Sequence, residues 1–204
     1  MRVDVVNVNI LSQRIGELAS ISHGGNLKRS SVELTKDLWE WGHLTPFEFQ
    51  VWIFKIEAPI FVARQVMRYR TGAFVERSLR YASPISKKYF PASAQPHELD
   101  AINSVYEHAF NVYEALSKSL PREVARTVLP LGTYTEFVWK IDSRNLYHFL
   151  EQRLSPHTQA ETREFAKMVL REVEKHDLLI YGLFVKSLEE QGIPTMSLGD
   201  DFDE

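Results

Sequence analysis

The stretch FEFQVWIFKIEAPIFVARQVMRYR, residues 47–70, carries the strongest structural signal in the chain. Its first half is dense in aromatic and β-branched side chains, which predicts a β-strand. Pro59 then suits the first turn of a helix that we expect to run through Arg70. On that helix Arg64 and Arg68 lie one turn apart on a polar stripe. A strand followed directly by a helix predicts a fold that mixes both elements.

The flanking segments extend this pattern in both directions. Residues 1–10 alternate apolar and polar side chains and predict another strand. Residues 31–43 predict a short amphipathic helix that Gly42 stops. The segment TGAFVERS, residues 71–78, breaks the helical period and is interpreted as a loop, with irregular chain beyond it. TEFVWKI, residues 135–141, predicts a further strand.

The second half of the chain is predicted to be mainly helical, with helices from about Asp100 to residue 120, within 121–130, over 143–153 and over 158–188. Asp142 is expected to cap the third of these helices. Thr158 and Glu161 stand at capping-box spacing and are expected to open the last one. Without internal repeats or a linker, residues 1–204 predict a single α+β domain with an acidic tail from about residue 199.

The composition excludes several classes of function. The 204 residues carry a formal net charge of −3, which argues against a nucleic-acid-binding protein. The chain has no cysteine, which removes disulfides, thiolate nucleophiles and cysteine metal ligands. Neither a signal peptide nor a run of about 18 apolar residues is present, so we expect a soluble, cytoplasmic protein.

Positive charge is nevertheless concentrated in residues 64–81, RQVMRYRTGAFVERSLRY. Further arginines recur on the predicted helices, at Arg122 and Arg126 among others. Guanidinium groups that converge from several elements suit a phosphate, and Glu76 and Ser78 would add a carboxylate and a hydroxyl. This pattern predicts a small anionic ligand.

Other kinds of site find little support. His148 and His157 have no metal-binding spacing, so no metal site is predicted. The chain contains no phosphate-binding glycine fingerprint and no nucleophile elbow.

The segment RYRTGAFVERS, residues 68–78, closely resembles the signature of flavin-dependent thymidylate synthases, an Arg-His-Arg triplet followed by seven residues and a serine. The chain has Arg68-Tyr69-Arg70 and Ser78 at that spacing. The similarity continues in order along the chain, in GHLTPFEF, in APIFVARQVMRYR, in PREVARTVLPLGTYTEFVW and in SRNLYHFLEQRLSPHTQAE. It covers most of the chain from Gly42 to about Ala166.

This resemblance implies a mainly antiparallel sheet packed by helices, in a homotetramer with FAD sites between subunits. It implies conversion of dUMP to dTMP, with methylenetetrahydrofolate as carbon donor and NADPH as reductant. No cysteine attacks the uracil ring in this family, in agreement with the composition. Small-molecule substrates are expected, and neither nucleic acid nor membrane.

The resemblance also assigns residues. It places Arg153 as the catalytic residue that promotes ionisation of uracil at N3, where its permanent charge stabilises negative charge on the ring. The dUMP-binding positions are Gln65, Arg68, Glu76, Ser78, Arg80, Arg126 and Arg153. The flavin-binding positions are His43, Thr45, Arg68, Tyr69, Arg70, Thr71, Glu76, Asp142, Arg144 and His148.

Several positions depart from the family pattern. Tyr69 replaces the histidine of the triplet; it can stack and donate one hydrogen bond but carries no charge at neutral pH. Asp142 and Glu151 replace residues that are commonly asparagine, and Asp142 adds negative charge near an anionic cofactor unless Arg144 neutralises it. The remaining departures are Ala73 and Val75 in the substrate loop and Phe49 after Glu48.

Two other functions remain open on these residues. The altered loop positions Ala73 and Val75 are compatible with a relative that modifies another pyrimidine nucleotide or transfers another one-carbon unit. Tyr69 and Asp142 are compatible with a non-catalytic nucleotide-binding homologue that has lost flavin. Bound FAD would exclude the second of these alternatives.

Overall fold

A four-stranded sheet organises the chain, which the computed structural model describes over residues 1–26 and 29–195. The strands are β1 (Arg2–Val8), β2 (Val51–Pro59), β3 (Ala73–Glu76) and β4 (Tyr134–Asp142). Their order is β1-β2-β4-β3, and every neighbouring pair is antiparallel. The helices are α1 (Ile15–Ala19), α2 (Ser31–Glu40), α3 (Ile60–Val66), α4 (Pro96–Leu116), α5 (Arg122–Ala125), α6 (Ser143–Arg153), α7 (Ala160–His176) and α8 (Leu178–Glu190). Short 3₁₀ segments lie at Ser12–Arg14, Ser20–His23, Thr45–Phe49 and Arg126–Val128.

The central strands β2 and β4 bury one face of the sheet through strict alternation. Trp52, Phe54 and Ile56 on β2 are buried, as are Phe137 and Trp139 on β4. The register sets Phe54 opposite Trp139, with ring centroids 5.8 Å apart. Helices α3, α6, α7 and α8 supply most of the other side chains of this core. Burial of each large side chain contributes about 2–3 kcal/mol, so the sheet is a firm base for the elements at its edges.

The strand predicted within residues 47–57 is confirmed, but it begins later than its apolar density indicates. Thr45–Phe49 form a 3₁₀ segment, and β2 starts at Val51. The intervening Gln50 is fully buried and binds Ser143 at the start of α6. The side chain of Gln50 accepts from Ser143 Oγ at 2.6 Å, and its carbonyl accepts from Ser143 N at 2.9 Å.

The helix predicted through Arg70 ends earlier, at Val66. Met67 N donates to Ala63 O at 2.9 Å, and Tyr69 N donates to Val66 O at 3.0 Å, which closes a tight turn. This turn takes the arginine triplet out of the helix. Local helix propensity does not reveal such an ending, because Met, Arg and Tyr all tolerate helical backbone.

The loop predicted at residues 71–78 is wrong in part, because β3 lies inside it and pairs with β4. Phe74 stands opposite Trp139, and the two rings stack at 6.0 Å with an interplanar angle of 6°. Gly72 permits this approach, since a Cβ there would lie 2.4 Å from Trp139 Nε1. Glycine and alanine are poor strand formers, so the segment carried little strand signal.

The predicted cap of α6 is confirmed. Asp142 Oδ1 accepts a hydrogen bond from Asn145 N at 2.9 Å. The capping box predicted at Thr158 and Glu161 is wrong, because α7 begins after Gln159 without a side-chain cap. The helix predicted from about Asp100 begins earlier, at Pro96.

The single long helix predicted over 158–188 is two helices, α7 and α8. Asp177 separates them with an extended backbone, φ −152° and ψ 90°. Its carboxylate then caps α8 by accepting from Ile180 N at 3.2 Å. An aspartate inside a helical pattern can accept hydrogen bonds from nearby backbone N–H groups, which competes with continuation of the helix.

The irregular chain predicted after β3 is confirmed up to α4, apart from one bridge between Lys88 and Thr133. The acidic tail predicted from about residue 199 lies outside the described residues. Within the part of the chain that is described, no helix is both long enough and apolar enough to cross a bilayer.

Candidate functional site

The turn after α3 and the last turns of α6 line a cavity of about 440 Å³, which we call the polar cavity. The turn contributes Arg68, Tyr69, Arg70 and Thr71, and α6 contributes His148, Gln152 and Arg153. His148 and Gln152 are four residues apart and therefore share one face of the helix. Arg153 ends α6, where a cation complements the partial negative charge of the last carbonyl groups.

The polar cavity carries positive charge that the described residues leave without a carboxylate partner. Arg68 and Arg70 are exposed, and no carboxylate among the described residues forms an ion pair with either. The same holds for Arg153, whose buried Nε has no hydrogen-bond partner in this part of the chain. Unpaired guanidinium groups around one cavity are suited to bind an anionic ligand.

Two other arginines of this region make contacts within the chain. Arg77 pairs with Glu136 at 2.9 Å and also donates to Ser83 O. The guanidinium of Arg122 donates to Tyr81 O at 2.9 Å. These contacts give Arg77 and Arg122 structural roles, which separates them from the unpaired arginines.

Tyr69 forms the floor of the polar cavity and is only 9% exposed. Its hydroxyl donates to Gln152 Oε1 at 2.6 Å and lies 3.2 Å from His148 O. Burial raises the pKa of the hydroxyl to about 12, although the nearby charge of Arg153 acts in the opposite direction. Tyr69 therefore stays neutral at any working pH.

His148 belongs to a hydrogen-bonded chain along α6. Gln152 Nε2 lies 3.0 Å from His148 Nε2, and His148 Nδ1 lies 3.1 Å from Glu151 Oε2. Because Tyr69 donates to Gln152 Oε1, the amide of Gln152 must donate to His148 Nε2. His148 is then the Nδ1–H tautomer and donates to Glu151. Every hydrogen bond in the series from Tyr69 to Glu151 therefore joins one donor to one acceptor.

Glu76 and Arg126 line a second cavity of about 360 Å³, together with Arg64 and Thr135. Glu76 Oε1 accepts from Thr135 Oγ1 at 2.9 Å, which fixes the carboxylate at the end of β3. Arg126 is exposed and has no carboxylate partner among the described residues. This cavity combines a positioned acceptor with a free cation.

The other predicted dUMP positions lie near these two cavities. Gln65 is held from α7, where Thr162 Oγ1 donates to its Oε1 at 2.9 Å. Ser78 Oγ accepts from Arg80 N at 3.3 Å. Arg80 lies 3.7 Å from Glu123, so its charge is partly shared.

His43 and Thr45 line a third cavity, which is apolar and has a volume of about 570 Å³. Its walls are mainly aliphatic and aromatic, with Leu18, Ile21, Leu34, Leu38 and Phe49 among them. The sequence signal for His43 and Thr45 did not extend to these side chains. A planar or apolar ligand in this cavity would be held mainly by apolar contacts and little by charged groups.

Asp142 and Arg144 do not pair with each other. Asp142 is occupied as the cap of α6, and its second oxygen accepts from Asn145 Nδ2 at 2.7 Å. Arg144 instead forms an ion pair with Glu48, which joins the start of α6 to the 3₁₀ segment before β2. The negative charge of Asp142 is thus stabilised by backbone and amide donors.

The structure distributes most of the predicted site residues over these three cavities, but five of them line none of the three: Gln65, Ser78, Arg80, Asp142 and Arg144. Sequence reasoning missed Gln152, Gln159 and Thr135, each of which hydrogen-bonds a predicted site residue. The spacing of Gln152 from His148 was a detectable signal, because residues four apart on a helix are neighbours. The pairing of Thr135 with Glu76 depends on the β3–β4 register and was not readable from sequence.

Comparison with known proteins shows consistent similarity. The family model described as "Thymidylate synthase complementing protein" matches residues 6–177. A flavin-dependent thymidylate synthase of Thermus thermophilus is 36% identical over 195 residues, covering 86% of this chain and 72% of that protein. One from Thermosipho africanus is 37% identical over 170 residues, covering 72% and 75%.

Among solved structures, a UMP/dUMP methylase from Streptomyces cacaoi, PolB, has a similar fold. That crystal structure, bound with 5-Br dUMP, superposes with a TM-score of 0.81 at 26% identity. The match covers 91% of this chain and 94% of the other.

Proposed function

The chain belongs to the family of flavin-dependent thymidylate synthases, and we propose that it converts dUMP to dTMP by reductive methylation. Methylenetetrahydrofolate would be the carbon donor, and NADPH the reductant of a bound FAD. The observation that carries this proposal is the polar cavity, where Arg68, Arg70 and Arg153 have no carboxylate partner among the described residues. The family signature contains two of these three arginines, Arg68 and Arg70.

The residues present fit an anionic flavin nucleotide. Arg68 and Arg70 offer unpaired guanidinium groups to a pyrophosphate, and Thr71 and His148 line the same cavity. His43 and Thr45 would serve from the apolar cavity, beside a surface suited to aromatic ring systems. When bound, FAD would supply the hydride that completes the new methyl group.

Arg153 is the proposed catalytic residue. A guanidinium keeps its charge at all working pH values and can stabilise negative charge on the uracil ring after loss of the N3 proton. Its buried Nε has no hydrogen-bond partner among the described residues, which supports this assignment. Arg68 and Arg126 would hold the phosphate of dUMP, with Gln65, Glu76, Ser78 and Arg80 completing the substrate contacts.

A homotetramer with sites between subunits is part of the proposal. Glu76 and Arg126 line a different cavity from Arg68 and Arg153, which favours sharing of substrate between neighbouring chains. The outer face of the sheet also carries Val75 and Val138, paired in register and 74% and 37% exposed. Light scattering on the purified protein tests this assembly, and a monomeric enzyme with full activity would refute it.

The test of the activity is mass spectrometry of the nucleotide after anaerobic incubation with dUMP, methylenetetrahydrofolate, FAD and NADPH. We expect a gain of one methyl group that requires both FAD and NADPH. Arg153→Ala should lower kcat by about 10²–10³-fold, the usual effect of removing one charge-stabilising donor. Arg14→Ala is the matched control, because Arg14 is exposed, pairs with Glu17 and lines none of the three cavities. Full activity of Arg153→Ala would refute the assigned role.

A second candidate substrate is UMP. The similar protein from Streptomyces cacaoi is described as a UMP/dUMP methylase, and Ala73 and Val75 replace polar residues of the substrate loop. Turnover of UMP and dUMP in competition distinguishes the two. A clear preference for UMP would replace dUMP in the proposal while leaving the family chemistry intact.

A further inference from the structure

Tyr69 and Arg153 are in direct contact beside the polar cavity. The guanidinium carbon of Arg153 lies 5.4 Å from the centroid of the Tyr69 ring, within the range of a cation–π interaction. The edge of the same tyrosine ring packs on Phe149, with centroids 5.0 Å apart and planes at 78°. The Tyr69 ring thus lies between the hydrophobic core and a catalytic cation.

Arg153 has few other restraints. Its Nε is buried without a hydrogen-bond partner, and within the described residues no carboxylate pairs with the guanidinium. A long side chain with one fixed neighbour would otherwise sample several rotamers. The ring of Tyr69 is a defined contact of the guanidinium and limits where it can lie.

Tyr69 is itself immobilised through its hydroxyl. The 2.6 Å hydrogen bond to Gln152 Oε1 ties the ring to the last turn of α6, one residue before Arg153. The hydroxyl is therefore engaged within the chain, and burial raises its pKa to about 12, which makes it a weaker acid. What Tyr69 offers to the cavity is the face of its ring.

We propose that Tyr69 is a positioning residue that holds the guanidinium of Arg153 in the orientation needed to stabilise negative charge on the pyrimidine. The ring supports the cation, and the hydroxyl bond to Gln152 fixes the ring. This inference rests on the proposed function, because it assigns the way in which Arg153 is presented to dUMP. It gives the tyrosine in the Arg-Tyr-Arg triplet a role of its own.

The two parts of Tyr69 can be separated by substitution. Tyr69→Phe keeps the ring and removes the bond to Gln152, whereas Tyr69→Leu removes the ring. We expect Tyr69→Leu to lower kcat about tenfold with little change in the KM for dUMP. Loss of a partly buried cation–π contact changes a rate by about that factor. Tyr69→Phe should retain most of the activity. If Tyr69→Leu does not fold, Tyr69→Met fills the same space without an aromatic face.

The decisive readout is the ionisation of dUMP bound to the enzyme in the absence of methylenetetrahydrofolate. Ultraviolet difference spectroscopy across pH monitors this ionisation. The wild-type protein should lower the midpoint of uracil ionisation relative to free dUMP. In Tyr69→Leu that midpoint should rise by about one pH unit, because a tenfold change in an ionisation equilibrium equals one unit. The charged and titratable groups around the cavity, Arg68, Arg70, His148 and Glu151, are unchanged in every variant.

A control on the same helix separates positioning from general destabilisation. Tyr147 packs on Trp39, with ring centroids 5.0 Å apart, and does not line the polar cavity. Tyr147→Leu should leave the midpoint of bound dUMP in place, whatever its effect on thermal stability. An equal midpoint shift in Tyr147→Leu, or a wild-type midpoint in Tyr69→Leu, would overturn the inference alone. A wild-type protein that leaves the ionisation of dUMP unchanged would overturn the proposed role of Arg153 itself.

Discussion

Replacement of Asp177 by alanine should lower the stability of the fold by about 4 kcal/mol. The buried carboxylate accepts from Ser12 N and Ser12 Oγ, each at 2.6 Å, from Gln50 Nε2 at 2.8 Å and from Ile180 N at 3.2 Å. In the variant, Gln50 Nε2 keeps Ile10 O at 2.9 Å, and the serine hydroxyl can rotate. Two backbone N–H groups remain stranded, and each costs about 1–3 kcal/mol.

Asparagine at the same position should be much milder. Its amide nitrogen can take the place of the oxygen that faces Ser12 Oγ, since that hydroxyl can accept as well as donate. Ser12 N and Gln50 then keep the remaining oxygen, and only the cap on Ile180 is lost. We therefore expect Asp177→Asn to cost about 1–2 kcal/mol, in the range of a lost helix cap.

Urea denaturation of both variants measures these losses directly, with a thermal melt as a second observable. A loss of 4 kcal/mol corresponds to roughly 10 °C in Tm for a domain of this size. Asp100→Ala is the matched control, because Asp100 is exposed and its replacement should stay within about 0.5 kcal/mol. The reasoning fails if Asp177→Ala is as stable as the control, or if alanine and asparagine cost the same.

Two further outcomes follow from local geometry. Gly72→Ala should cost about 1–3 kcal/mol and reduce turnover, because its Cβ would meet Trp139 Nε1 and displace the turn before β3; Gly182→Ala, which meets no heavy atom within 4 Å, should be neutral or stabilising. The hydrogen bonds from Ser30 lower the pKa of Glu33 below its usual value of 4.5, so its contribution to stability is present above that pH and is lost as pH falls through the lowered pKa. Urea midpoints across this range should fall less steeply for Glu33→Gln than for wild type, and parallel curves would contradict that assignment.

The sequence predicted the elements whose signals are local. The alternation in β1, the aromatic run of β2 and the cap at Asp142 each depend on residues a few positions apart, and all three are confirmed. The early end of α3, strand β3 and the break at Asp177 were missed. Strand β3 depends on contacts distant in sequence, such as Phe74 on Trp139, about which local propensity carries no information. The end of α3 and the break at Asp177 are closed by short-range hydrogen bonds that compete with helical ones, and residue propensities do not show which will form.

The candidate site shows the same division. The signature placed Arg68, Arg70 and Ser78 together, because these residues follow one another along a short turn and strand. It could not show that Arg144 is paired with Glu48 while Arg153 has no carboxylate partner among the described residues, since both are arginines on one predicted helix. Which arginine is free to bind an anion is decided by tertiary contacts.

The departures from the family pattern nearest the polar cavity leave Arg68 and Arg70 without a carboxylate partner among the described residues. The hydroxyl of Tyr69 donates a hydrogen bond to Gln152 on α6, and the carboxylate of Asp142 caps the start of that helix. Glu151 accepts a hydrogen bond from the neighbouring imidazole. A departure that opposed anion binding would direct a carboxylate at Arg68 or Arg70, and none of the described carboxylates pairs with either. The new polar groups form hydrogen bonds within the chain, and they hold the helix that carries Arg153, the proposed catalytic residue. The unusual tyrosine of the triplet is therefore consistent with a retained anion site, and its ring provides a support that a solvent-facing polar residue would not.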